Sequence, residues 1–300
     1  MGTLRGIQFR QGLFNMTSDS GLFETAPGPG LLPLYEAKMI HQYDHRWATY
    51  TGADEDAARN VTAEEKRDPN FEVRPRYWVP QEEVEARLNA KGWDRPWLLG
   101  WRDIARATDK RTLISAVIPR YGVGDKFLLM FPSGSVLQSG CLLAILNSLT
   151  ADYVARQKVG GTAFKFFTMR QIAIPTPSQV NASIAVDLGR RVLALVGPGE
   201  GRSFAFSLEL ATELGLQPPS GTLEQSAAAT VRAELDVYVA KLYGLSRSDL
   251  LFILDPEAAK GDGYPTETFR SLRAQEARAF GEYRTRRLVL EAWDRLIGTA

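Results

Sequence analysis

The chain has 300 residues, 44% of them hydrophobic and 24% charged, which is enough to bury the core of one large domain or two modest ones. A net charge of +1 excludes a uniformly basic nucleic-acid binder, and a single cysteine, Cys141, excludes an intrachain disulfide or a thiolate cluster and reads as a small buried hydrophobe. No run reaches the roughly 18–20 apolar residues that span a bilayer, and MGTLRGIQFRQG lacks the apolar stretch of a signal peptide, so the expected setting is the cytoplasm with no membrane partner.

The expected fold class is α+β, in three zones: an irregular β-rich domain with inserted helices over 1–177, a helix and linker over 178–221, and a mainly helical part over 222–300. In chain order, LLPLYEAKMI, RPRYWVP, WLLGWRDIAR, RTLISAVIPR and KFLLMF read as short strands bounded by turn residues. PQEEVEARLNAKG reads as a helix with an acidic first turn and Gly92 at its end. CLLAILNSLTADYVARQK carries apolar residues at helical spacing and predicts one continuous helix ending at Gly160–Gly161. FKFFTMRQIAIPTPS reads as a strand or a helix-to-strand transition ended by Pro175 and Pro177, with Phe164, Phe166 and Phe167 in the core. The remaining expected helices are IAVDLGRRVLALVG, AAATVRAELDVYVAKLYGL, RSDLLFIL capped by Ser246, and FGEYRTRRLVLEAWD with Leu288, Leu290 and Trp293 inward and Arg284, Arg286 and Arg287 outward.

Charge is patchy. Residues 101–126 carry six basic side chains (Arg102, Arg106, Lys110, Arg111, Arg120, Lys126) against three acidic ones, and residues 153–171 carry four (Arg156, Lys158, Lys165, Arg170) against none. Both stretches also hold aromatics and glycines, the mixture that lets a backbone or a ring approach a nucleic acid. In GWRDIARATDKRT the basic residues recur at helical or near-helical intervals, as a phosphate-tracking face would require. In VIPRYGVGDK the glycines suit either a phosphate-approaching loop or a plain hairpin.

Two constellations suggest a metal. His41 and His45 would share a helix face beside Asp44, but no further histidine completes a ligand set. Glu36-Ala37-Lys38 has the Glu-x-Lys spacing of magnesium-dependent nucleases, with Asp19 as the sole aspartate upstream.

The blocks LPLYEAKMIHQYDHRWATY, PRYWVP, WLLGWRDIARATDKRTLISAVIPRYGVGDK, LNSLTADYVARQKVGGTAFKFFTMRQIAIP, RAELDVYVAKLYGLSRSDLLFILD and FGEYRTRRLVLEAWD, from about Leu13 to Leu296, resemble in sequence and order the C-terminal part of certain bacterial adenine-specific DNA methyltransferases. These include type IIG-like restriction-modification enzymes and related phage-defence methylases. The resemblance implies a target-recognition region that reads double-stranded DNA. Its catalytic partner, a methyltransferase domain or subunit that binds S-adenosylmethionine and flips adenine, lies outside this chain. The family's Asn-Pro-Pro-aromatic loop does not occur, and no G-x-G triplet opens a convincing βα turn, so no catalytic, cofactor-binding or metal residue is assigned.

On that resemblance the expected DNA contacts are Lys38, Arg46, Arg76, Arg102, Arg106, Arg120, Lys126, Gln157, Lys158, Thr162 and Lys165. The strongest block is ARQKVGGTAFKFF, where a helix end delivers Gln157 and Lys158 to a double glycine: Gln can pair with an adenine edge, and Lys can reach guanine or phosphate. The rival expectations are a magnesium-dependent nuclease built on Glu36 and Lys38, and a structural protein-interaction domain.

Overall fold

The short apolar runs of the first zone, rich in β-branched and aromatic residues and punctuated by Gly and Pro, form strands. The computed structural model describes residues 7–52, 57–68, 71–176, 178–197, 205–265 and 268–298. The strands are β1 (Gln8–Arg10), β2 (Leu31–Tyr35), β3 (Ala48–Thr49), β4 (Arg59–Asn60), β5 (Tyr77–Pro80), β6 (Trp97–Arg102), β7 (Ser115–Pro119), β8 (Gly122–Val123) and β9 (Phe127–Phe131). An antiparallel sheet of order β1-β9-β6-β7 forms the centre, a second sheet of order β5-β2-β8 is mixed because β2 and β8 run parallel, and β3 pairs with β4.

The helices are α1 (Ala63–Arg67), α2 (Gln81–Asn89), α3 (Val136–Asn147), α4 (Leu149–Lys158), α5 (Phe166–Met169), α6 (Ala182–Val196), α7 (Ala205–Leu214), α8 (Gln225–Leu242), α9 (Arg247–Leu254), α10 (Pro256–Lys260), α11 (Arg270–Phe280) and α12 (Arg284–Leu296). The fold is α+β. No helix among the described residues is long and apolar enough to cross a membrane.

β7 and β9 are buried along their whole length, and β6 up to Trp101, because their runs lack the polar alternation of a half-solvated strand. α3, apolar on nearly every side, packs on this layer and is itself covered by α6 and α7. Trp97 and Trp101 are the largest side chains sealed in this core, each worth about 3 kcal/mol or more against truncation. A second cluster, with Val237, Leu250, Phe269, Val289 and Trp293, joins α8, α9, α11 and α12 and meets the first zone through Leu149.

Several local expectations are revised. The continuous helix expected over 141–158 breaks at Ser148, whose extended backbone starts α4 and whose hydroxyl accepts from the Ala151 N–H. The 178–221 stretch supplies α7 as well as the expected helix α6, and both pack on α3; its 198–204 segment lies outside the described residues, as does Pro177. In α12 the buried residues are Val289, Ala292 and Trp293, spaced three and four apart, while Leu288 and Leu290 sit at the margins and Arg286 turns in to Asp255 at 2.5 Å. Phe164 is buried and Phe166 packs on Phe9 and Trp101, but Phe167 is 77% exposed.

Candidate nucleic-acid interface

At the end of β6 the alternation of a strand decides which side chains face out. Trp101, Asp103 and Ala105 are buried, while Arg102 and Ile104 face a cavity of about 290 Å³. The same cavity receives Lys38 from the turn after β2 and Lys126 from the turn before β9. Three expected cations, Lys38 and the two ends of the 101–126 stretch, therefore converge. Lys38 and Lys126 lean on Glu36 (3.5 Å) and Asp125 (2.8 Å); both ammonium groups are exposed and open to a phosphate, while Glu36 is part-buried and Asp125 buried. Arg102 differs: its buried Nε has no hydrogen-bond partner, and burial lowers its pKa from the ordinary arginine value.

The segment that follows α4 is joined to one lining residue of this cavity, Ile104. Ile104 pairs antiparallel with Ala163, the Ala105 N–H donates to the Thr162 carbonyl at 3.1 Å, and the Phe164 N–H donates to the Asp103 carbonyl at 2.6 Å. Trp101 Nε1 donates to the Phe164 carbonyl at 2.7 Å, and Lys165 Nζ reaches the Asp103 carboxylate at 2.5 Å. Asp103 is buried and its second oxygen has no hydrogen-bond partner, so Lys165 is an anchor for the segment rather than a freely available phosphate ligand.

Held by those contacts, the chain from the last turn of α4 to the residue after α5 presents Gln157, Lys158, Thr162, Phe167 and Arg170 to solvent. Gly160 and Gly161 have open space where a Cβ would stand. The segment contains no acidic residue. In α5, Phe166 and Met169 face the protein, and the same three-residue spacing turns Phe167 and Arg170 outward. Phe167, Ile104 and Arg170 are additions to the residues expected from sequence; the i, i+3 pattern in FFTMR was the available signal.

Other expected contacts are dispersed. Arg120 is withdrawn from the set: it forks onto Glu85, at 2.6 Å for its closest oxygen, and donates to the carbonyls of Trp93 and Arg95, so its guanidinium braces α2. Arg46 donates to the Lys66 carbonyl at 3.1 Å and lines a different cavity, of about 560 Å³. Arg76 lies over the Tyr77 ring at 5.1 Å, and Arg106 is exposed in a turn closed by Asp109. The helical spacing seen in 102–111 does not exist in space, because strand β6 gives way to turns; Arg111 points inward to Asp152 at 2.9 Å. The glycines of VIPRYGVGDK serve packing: a Cβ on Gly122 would stand 2.5 Å from Val79 Cγ2, and the Gly124 N–H is taken by the Tyr35 carbonyl.

The histidines share no helix. His41 and Asp44 close a tight turn through their backbones, and His41 stacks on Trp47 with ring centroids 4.3 Å apart. His45 is buried and meets the Tyr35 hydroxyl through Nδ1 at 3.2 Å. Burial pushes both imidazoles down to about 3, which leaves them neutral. Glu36 accepts from the Tyr50 hydroxyl at 2.6 Å, while Asp19 is turned to the Asn15 N–H and Arg87. Among the described residues no group of three or more His, Cys, Asp or Glu side chains is placed to hold a metal, so the nuclease reading gains no support.

Three of the five G-x-G triplets lie wholly in described residues, and none of the three joins a strand to a helix as an S-adenosylmethionine-binding turn does. Gly28–Gly30 precedes a strand, Gly122–Gly124 comprises strand β8 and the residue after it, and Gly261–Gly263 lies between helices, while the two triplets over 197–201 fall largely outside the described residues. Compared with known proteins, the chain matches no protein-family model, no curated protein and no solved structure.

Proposed function

We propose that this chain is a DNA-binding module whose job is to read a target site, and that it does so within an adenine DNA methyltransferase or restriction-modification assembly in the cytoplasm. The single observation that carries the first part is the acid-free segment 157–170, solvent-facing and pinned to β6, beside the Lys38–Arg102–Lys126 cavity. The second part rests on the sequence resemblance. Lys38, Arg102 and Lys126 supply phosphate contacts that set register, Gln157 and Lys158 supply base-edge contacts, and Phe167 supplies an apolar wedge or stacking face. S-adenosylmethionine and the methyl transfer belong to a separate catalytic domain or subunit, toward which the chain presents the DNA.

The test is binding of the purified chain to random duplex DNA at two salt concentrations, beside a Gln157→Ala/Lys158→Ala variant. Salt-sensitive binding that enriches a short motif and is lost in the variant supports recognition. Equal indifference to DNA in both proteins overturns it in favour of a structural protein-interaction role.

A further inference from the structure

A second cationic cavity lies away from the 157–170 segment, where the His41–Trp47 turn meets α8, α11 and α12. Its volume is about 210 Å³. Lys110, Arg111, Arg232 and Arg284 all line it, drawn from the turns after β6 and from two helices distant in sequence. Of the four, Arg111 alone has an ion-pair partner, Asp152, and it also donates to the Asn147 carbonyl. Arg284 Nε is buried without a hydrogen-bond partner, its guanidinium lying 3.8 Å from the centre of the Phe280 ring. Arg232 is half-buried on α8 and forms no ion pair or hydrogen bond among the described residues; Lys110 at the rim likewise has none.

The two acids in the wall offset this charge only in part, because neither pairs with Lys110, Arg232 or Arg284. Glu276 uses both oxygens on Thr285, accepting from its N–H and its hydroxyl at 2.7 Å each, and Asp236 is turned to the Leu149 N–H at 2.7 Å. Burial pushes the Asp236 carboxyl up to about 7, and the arginines around His41 help burial hold its imidazole neutral. Burial lowers the pKa of Lys110 and of Arg232 too; at Lys110 the Glu276 carboxylate opposes that shift, and Arg232, Arg284 and Arg111 reinforce it. Unpaired cations gathered in one partly dry wall are mutually repulsive, and an anion in their midst converts that repulsion to attraction. Trp47, Gln225 and Arg232 are shared with the adjoining cavity of about 560 Å³, which leaves room for more than a bare ion.

We propose that the cavity between the His41–Trp47 turn and helices α8, α11 and α12 is a phosphate-binding site, with Lys110, Arg232 and Arg284 as its ligands and a phosphate ester of a nucleotide or of DNA as its occupant. Arginine forks suit such oxygens in pairs, and Lys110 adds a point charge. The site is independent of the 157–170 segment.

The experiment is calorimetric titration of the full chain with inorganic pyrophosphate and with ATP at constant ionic strength, for the wild type, Arg232→Gln and Lys110→Gln. Lys110 is exposed, so its variant keeps the fold even if that of Arg232 does not. Expected is saturable binding, weakened at least about tenfold in each folded variant and retained in Gln157→Ala/Lys158→Ala whatever that variant does to DNA binding. Competition by a duplex identifies the DNA backbone as the phosphate source, and ATP retained in the presence of duplex identifies a free nucleotide; both support the site. No binding beyond that of matched chloride, or unchanged binding in Lys110→Gln, overturns it.

Discussion

Arg156 Nε donates to Asp152 Oδ1 at 2.8 Å one turn earlier in α4, and both side chains are buried. The remaining guanidinium nitrogens fan onto the carbonyls of Ala107, Asp109 and Lys110, and the plane rests 4.4 Å from the centre of the Phe269 ring. One arginine thus ties α4 to the 106–111 turns and to the C-terminal helices.

Removing it leaves a buried carboxylate supported only by Arg111 and the Thr112 N–H. Arg156→Ala is expected to lower unfolding free energy by about 3–5 kcal/mol in urea titrations, and Arg156→Lys by most of that, because an ammonium cannot span three carbonyls. A cost under about 1 kcal/mol for Arg156→Ala would show that the network is incidental.

Phe167 is expected to matter for binding and not for folding. At 77% exposure its ring contributes little to the core, so Phe167→Ala should leave stability within about 0.5 kcal/mol of wild type. If the ring stacks on or wedges between bases, duplex affinity should fall by about 1–3 kcal/mol, roughly five- to 150-fold, in a fluorescence-anisotropy titration. Unchanged affinity would remove Phe167 from the interface.

These two residues mark what the sequence made legible. Helices with clear periodicity and caps were readable, such as α9, where Ser246 and Asp249 close the expected N-terminus reciprocally. The break at Ser148 was not, because it depends on a distant partner: the Leu149 N–H that opens α4 is held by Asp236, 87 residues away. The basic residues of 102–111 looked like one helical stripe, and only the end of β6 and the turns after it send Arg102 to one cavity and Arg111 to the interior. Arg232 gave no signal in AAATVRAELD, since nothing local shows that α8 turns that position toward His41 and Arg284.

Two glycines should separate folding from binding. Gly12 has φ +57°, and a Cβ there would lie 2.4 Å from the Gly124 carbonyl oxygen, so Gly12→Ala is expected to cost more than about 1 kcal/mol. Gly161 has open space and no positive φ, so Gly161→Ala should melt within a few degrees of wild type. Its DNA affinity should nevertheless fall if the backbone approaches a phosphate closely. A strongly destabilised Gly161→Ala would mean that the segment is more constrained than its surroundings show.

Asp236 sets a pH dependence whose sign can be worked out. Its folded pKa of about 7 lies above the ordinary 3.8, because burial outweighs the nearby arginines. Between those values the unfolded chain has released the proton and the folded chain retains it, so this group lowers stability as pH rises, and the penalty is complete above pH 7. Asp236→Asn keeps an oxygen for the Leu149 N–H and cannot ionise. The variant should therefore gain stability over wild type, by an amount on the order of 2–4 kcal/mol at pH 8 and shrinking toward pH 5. Urea unfolding of both proteins at pH 5, 6.5 and 8 measures it. A variant less stable than wild type at pH 8 would mean that Arg111 and Arg232 hold the carboxylate ionised, and would make Asp236 a counter-ion of the cationic cavity rather than a neutral part of its wall.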